Sequence, residues 1–184
     1  MKKSVVLAIA FGILCGTDAY ADGKSANCQG LPDEQQLQRA MREAAANHTA
    51  GGLFNGTRMW GAVVNRDGEI CSYVTTTNNA TQVWPGSQAI AKAKAYTANP
   101  FSLGAANGGF PLSTARLYTF TQPGHSLWSL GQSNLWNPDF NAPPGGQGGG
   151  TRQIGGGLIF FGGGVPLYRG NRVIGGLGIS GDTS

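Results

Sequence analysis

Three glycines near the end of the chain have the spacing of a phosphate-binding loop. Gly176, Gly178 and Gly181 form a G-x-G-x-x-G pattern, which binds a dinucleotide when it follows a strand and opens a helix. A strand-like run precedes Gly176, but only three residues of this sequence follow Gly181, so we expect no helix there. We therefore interpret these glycines as strand residues that allow another backbone to approach closely.

Side chains that could catalyse a reaction are few and scattered. No G-x-S-x-G pattern marks a nucleophilic serine. Asp67 and Glu69 lie near each other, but they belong to one turn, so we do not assign them as an acid–base pair. Two cysteines and the two distant histidines, His48 and His125, make a poor set of zinc ligands. The chemistry-bearing residues favour a binding protein over a classical enzyme.

The first 21 residues have the composition of a secretory signal peptide. Lys2 and Lys3 precede an apolar run, and the sequence AYA ends at Ala21 in the A-x-A form of a cleavage site. The apolar run is short for a membrane span, which needs about 20 apolar residues. We therefore predict a single mature domain over residues 22–184, located in the periplasm or secreted, with no membrane span after cleavage.

Export would place Cys28 and Cys71 in an oxidising compartment. An even pair there predicts one disulfide, which would join the N-terminal arm to the first hairpin, while two free buried thiols are the alternative. Charged residues make up only 12% of the chain, and the formal net charge is +4. Because the basic residues form no patch or stripe, we expect no nucleic-acid partner.

The elements that must position these residues alternate between helix and strand. Apolar spacing predicts a helix over residues 33–50 and another over residues 85–99, which Pro100 ends. A hairpin with its turn at Asp67-Gly68 lies between the helices. Residues 102–151 read as a long irregular insertion, and three short strands follow within residues 156–180. This order predicts an α+β layered domain with an antiparallel sheet.

Four ordered blocks of the sequence resemble one known family. They are MWGAVVNRDGEIC, WPGSQAIAKAKAYTANPFS, PLSTARLYTFTQPG and GGGVPLYRGNRVIGGLGISGDTS. Together they are similar to the longer, exported branch of the GlcG/HbpS family of haem-binding proteins, from about residue 33 onwards. The resemblance implies a profilin-like α/β/α sandwich with a five-stranded antiparallel sheet, and a homo-oligomer. Family members usually continue into a C-terminal helix, so we expect part of this sheet to lack that cover.

The resemblance also implies a haem site on the second predicted helix. The family motif K-A-x-T-A matches Lys94 and Thr97. Lys94 would pair with a haem propionate, and Thr97 would offer an oxygen to the iron or a hydrogen bond. The alternative is that Lys94 is solvated and Thr97 caps the end of the helix. Tyr96 and His48 are further candidate ligands, although packing explains the tyrosine equally well and a surface position explains the histidine better.

The tryptophans offer a second possible surface for a ligand. Trp60, Trp84, Trp128 and Trp136 could line an apolar plate for a planar ligand, and core packing is the alternative for most of them. We predict an exported haem-binding or haem- and iron-handling accessory protein. Two alternatives remain: a small-molecule-binding or catalytic protein in which the insertion acts as a lid, and a structural subunit of an oligomer.

Overall fold

The structure is a computed structural model, and the signal peptide predicted over residues 1–21 lies outside its described part. The described residues are 26–48, 50, 52–104, 108–132, 137–142 and 147–181. The helices are α1 (Glu34–Ala46), α2 (Ser87–Phe101) and the short α3 (Thr114–Leu117), and the strands are β1 (Trp60–Asn65), β2 (Ile70–Thr75), β3 (Gly164–Arg169) and β4 (Arg172–Ser180). No helix of this described part is both long and apolar enough to cross a bilayer.

The strands form one antiparallel sheet in the order β2-β1-β4-β3. Within the described residues the sheet therefore has four strands, and the five that the resemblance implied are not formed. The strand predicted over residues 156–163 is absent, although the Gly163 carbonyl at its end accepts from the Ile179 amide of β4 at 2.8 Å. The Ile159 amide of this segment donates to the Thr97 hydroxyl of α2 at 2.9 Å. That amide is therefore not available for a hydrogen bond to a neighbouring strand.

The free edge of β2 is covered by the end of the long insertion. The Gly148 amide donates to the Tyr73 carbonyl at 2.7 Å, and the Ile70 amide donates to the Gln153 carbonyl at 2.8 Å. A single antiparallel bridge also joins Glu69 to Ile154. The insertion thus satisfies backbone groups that an exposed edge strand would leave unpaired.

Helix α1 covers one face of the sheet. Asp33 caps it by accepting from the Gln36 amide, and the Gln36 side chain accepts from the Asp33 amide in return. Its buried Leu37 and Met41 pack in one cluster with Val63 of β1. The predicted start of the helix is confirmed, and the helix ends at Ala46, before the predicted end at residue 50.

Helix α2 covers the opposite face of the sheet at close range. A methyl group on Gly178 would overlap the Ala91 carbonyl oxygen, and one on Gly176 would overlap that of Ala95. The interpretation of these glycines as sites of close backbone approach is confirmed. The prediction that Pro100 ends this helix is wrong, because the helix includes Pro100 and ends at Phe101, two residues beyond the predicted end.

A disulfide joins Cys28 to Cys71, with the two Cα atoms 5.6 Å apart. The predicted pairing is confirmed, and the alternative of two free thiols is wrong. The bond fastens the segment before α1 to β2 across 43 residues of chain.

Helix α1 leaves part of its face of the sheet open. An apolar groove of about 490 Å³ runs beside the helix, with Leu31, Leu167 and Leu177 among its walls. Val165 of β3 is 43% exposed. Among the described residues, this face of the sheet is therefore partly open at β3 and β4.

Candidate functional site

Lys94 lies on the flank of α2 that faces the end of β4. Its Nζ donates to the Ile179 carbonyl at 3.0 Å and lies 4.9 Å from the centre of the Phe161 ring. Burial lowers the pKa of Lys94 to about 8, so the protonated form still predominates at neutral pH. Lys94 is only 5% exposed, so the alternative of a solvated side chain is wrong. The amine has three donors, and Ile179 takes one of them.

Thr97 lies one turn further along the same flank and is fully buried. Its hydroxyl donates to the Ala93 carbonyl at 2.7 Å and accepts from the Ile159 amide at 2.9 Å. The side chain therefore joins α2 to the segment that crosses it. The predicted haem contacts of Lys94 and Thr97 stay predictions, but this structure gives the threonine a definite packing role.

The segment 155–163, which we call the glycine-rich strap, forms the outer wall of this site. Phe160 points inwards and meets Phe101 edge to face, with ring centres 6.0 Å apart, while Phe161 is 48% exposed. Gly163 adopts φ 111°, a backbone conformation that favours glycine. The strap thus places one aromatic ring at the surface beside the Lys94 amine.

The structure does not bring Tyr96 and His48 to this place. The Tyr96 ring lies against Gly68 in the turn between β1 and β2, where a methyl group on the glycine would meet the ring. His48 follows α1 on the other face of the sheet, is exposed, and has φ 52°. Of the four predicted haem-contacting residues, only Lys94 and Thr97 share one site.

The sequence reasoning missed Lys92, which is 2% exposed. Its Nζ lies 4.0 Å from the centre of the Tyr73 ring and has no hydrogen-bond partner among the described residues. Burial lowers the pKa of Lys92 to about 7 and raises that of Tyr73. The sequence could have indicated different environments for Lys92 and Lys94, because residues two positions apart on a helix point to different flanks.

The tryptophans do not form the open plate considered above. Trp60 is buried and stacks on Tyr73, with ring centres 4.8 Å apart. Trp84 and Trp128 are exposed, and Trp136 lies outside the described residues. Core packing therefore explains Trp60.

No group of three His, Cys, Asp or Glu side chains in the described part of the chain is placed to hold a metal ion. What Lys94 and Phe161 offer is a cation and an aromatic face. That pair suits the edge and face of a flat anionic molecule.

The fold and the site define a class: an α+β domain whose helices cover both faces of an antiparallel sheet, with a lysine and a threonine of one alanine-rich helix beneath a glycine-rich strap. The chain belongs to the HbpS-like family. The model of that family, described as "Haem degrading protein HbpS-like", matches residues 33–184.

The chain is similar to several solved structures, and two of them, with TM-scores of at least 0.50, support the same fold. The PduOC:heme complex is 24% identical, covers 80% of this chain and 78% of its own, and superposes with a TM-score of 0.52. HbpS is 20% identical over 82% of this chain and 75% of its own, with a TM-score of 0.50. The Klebsiella pneumoniae protein ORFY is 24% identical over 80% of this chain and 75% of its own, with a TM-score of 0.49. No curated protein matches the sequence.

Proposed function

We propose that this protein binds haem and serves as an exported accessory protein of haem or iron handling. Membership of the HbpS-like family supports binding of a haem-type ligand. The observation on which we place most weight is the Lys94 amine beside the exposed Phe161 ring, on the helix with the family motif.

Each residue of the site has a distinct role in this proposal. The protonated Lys94 amine pairs with a propionate in a charge-assisted hydrogen bond, and the Phe161 ring lies against the porphyrin face. Thr97 holds the strap in place through its hydrogen bonds to Ala93 and Ile159. We do not assign an axial ligand, because the Thr97 hydroxyl already donates and accepts. Bound haem would supply a redox-active iron.

Haemin titration followed by its Soret band tests the proposal. We expect a saturable shift with the wild-type protein and about tenfold weaker binding by Lys94→Met, since one charge-assisted hydrogen bond contributes roughly 1.5–3 kcal/mol. Lys92→Met is the matched control, because it removes a buried lysine of the same helix that faces Tyr73 instead of Phe161.

The two variants separate the parts of the proposal. No spectral change with the wild-type protein would contradict haem binding itself. Equal affinity of wild type and Lys94→Met would contradict the site and leave haem binding intact. Thr97→Ser keeps the hydroxyl, so we expect its binding to stay close to that of the wild type.

Export and self-assembly are further parts of this proposal. The signal-like first 21 residues support a periplasmic or secreted location; N-terminal sequencing of the protein from fractionated host cells tests it, and a chain beginning at Asp22 is expected. The apolar groove beside α1 is where we expect contact with a second copy, and native mass spectrometry would detect the oligomer.

A further inference from the structure

Three arginines from separate parts of the chain line one cavity of about 390 Å³. Arg66 lies in the turn between β1 and β2, Arg169 ends β3, and Arg172 begins β4. Lys94 bonds to Ile179 near the other end of β4. Arg172 and Ile179 are seven residue steps apart along β4, or about 23 Å at 3.3 Å per residue. The cavity is therefore distinct from the haem site proposed above.

Two of the three guanidinium groups are held in place by backbone and amide groups. Arg66 Nη1 donates to both the carbonyl oxygen and the Oδ1 of Asn99, and the Asn99 amide donates back to the Arg66 carbonyl. Asn99 is 2% exposed, so the exposed Arg66 is anchored to a buried side chain. Arg169 Nη2 donates to the Gln29 carbonyl at 3.3 Å. Arginines fixed before a ligand arrives lose less freedom when they bind it.

The cavity holds positive charge without a matching carboxylate. No Asp or Glu is among the described residues that line it, and the bonds of Arg66 and Arg169 go to neutral groups. Glu69, on the same hairpin as Arg66, has its carboxylate bonded by the Asn65 amide. Like charges that share a cavity repel one another, and a bound anion relieves that repulsion.

One wall of the cavity is apolar. Val173 is buried, while Leu103 is 48% exposed on the rim. Two backbone segments approach each other closely beside these residues, because a methyl group on Gly104 would lie 2.8 Å from the Asn171 carbonyl oxygen. A ligand of matching chemistry would therefore combine negative charge with a compact carbon skeleton.

We propose that this cavity binds a small organic polyanion, whose carboxylate or phosphate groups pair with Arg66, Arg169 and Arg172 and whose carbon skeleton lies against Leu103. Guanidinium groups bind both kinds of oxyanion through paired N–H donors. This proposal goes beyond haem binding and does not depend on it.

Calorimetric titration with citrate and with pyrophosphate at low ionic strength tests the proposal. We expect one ligand per chain, and at least tenfold weaker binding by Arg172→Gln and by Arg169→Gln. Arg172 is exposed, so its loss should leave the fold intact. The matched control is Arg39→Gln, an exposed arginine of α1 with the same charge change, for which we expect unchanged affinity.

The outcomes are distinct. Tighter binding of citrate than of pyrophosphate would support contact between a carbon skeleton and Leu103, whereas tighter binding of pyrophosphate, which has no carbon skeleton, would contradict that part of the proposal. Absence of binding by both probes would overturn the proposal, as would equal weakening by Arg39→Gln, because diffuse charge would then explain the affinity. Haemin binding is read in a separate titration with Lys94→Met, so either proposal can fail without the other.

Discussion

Lys92 and Lys94 show how two similar residues on one helix acquire different environments. They are two positions apart, so their side chains point about 200° apart around the helix axis. Lys94 reaches the Ile179 carbonyl at the sheet end, whereas the Lys92 amine lies over the Tyr73 ring with no hydrogen bond from the described residues. A buried amine without a partner is costly in its charged form, and that cost makes stability depend on pH.

The folded-state pKa of Lys92, about 7, is well below the value of about 10.4 expected in the unfolded chain. Between these values the unfolded state binds more protons, so Lys92 makes stability rise with pH. Below pH 7 both states are protonated and the destabilisation is complete, while above about 10.4 both are neutral.

We therefore expect Lys92→Met to raise the melting temperature most at pH 6 and progressively less towards pH 10. Thermal unfolding of wild type and variant across this range measures the difference. The exposed Arg39→Gln should show an offset that does not depend on pH in this way. A constant difference between Lys92→Met and wild type would contradict the depressed pKa of Lys92.

At the scale of elements, the contact between α2 and β4 explains the unusual composition of both. The strand presents Gly176 and Gly178 to the helix, and the helix presents the backbone at Ala91 and Ala95. The helix can approach this closely because neither side has a long side chain at the contact. Its position in turn brings Lys94 within reach of β4 and of the glycine-rich strap.

We expect Gly178→Ala to lower the free energy of unfolding by about 3 kcal/mol, the upper part of the range for overpacked cores. The added methyl group would overlap the Ala91 carbonyl oxygen, which belongs to helix backbone and cannot rotate away. Urea denaturation measures the change, and the soluble yield serves as a second reading if the variant does not fold.

Gly162→Ala is the control for this substitution, because no atom lies near the position that its methyl group would take. Its stability should stay within about 0.5 kcal/mol of the wild type, as for most surface changes. If the two variants were equally stable, close packing of α2 on β4 would not be the reason for the glycine.

At the scale of the whole molecule, the disulfide and the insertion tie distant segments to β2. Cys71 of β2 bonds to Cys28 on the N-terminal side of α1, and the insertion supplies hydrogen bonds along the free edge of the same strand. The disulfide closes a loop of 43 residues, which constrains the unfolded chain and so stabilises the folded one.

Replacing both cysteines, as Cys28→Ser with Cys71→Ser, should destabilise the protein by about 4 kcal/mol in the chain-entropy model. For a domain of this size that corresponds to a fall in melting temperature on the order of 10 °C. Calorimetry checks the value, and the wild type under reducing conditions should show a similar fall. An unchanged melting temperature would mean that the bond does not limit the unfolded chain.

The sequence by itself determined α1, α2 and four strands in their chain order, the start of α1 and the hairpin turn. These features depend on near neighbours in the chain, such as the capping pair Asp33 and Gln36 or the Asp67-Gly68 turn. It also determined the disulfide, because the mature chain is expected to contain only one pair of cysteines. The family could be recognised from the four sequence blocks that resemble it.

Only the tertiary structure decided which distant residues meet. The segment expected as a strand became a strap over α2, because the buried Thr97 hydroxyl takes the Ile159 amide. The convergence of Arg66 with Arg169 and Arg172 required the sheet order that places β1 beside β4. The physical reason is the same in both cases. Contacts between residues far apart in the chain depend on how the helices pack on the sheet, and the local periodicity of the sequence does not determine that packing.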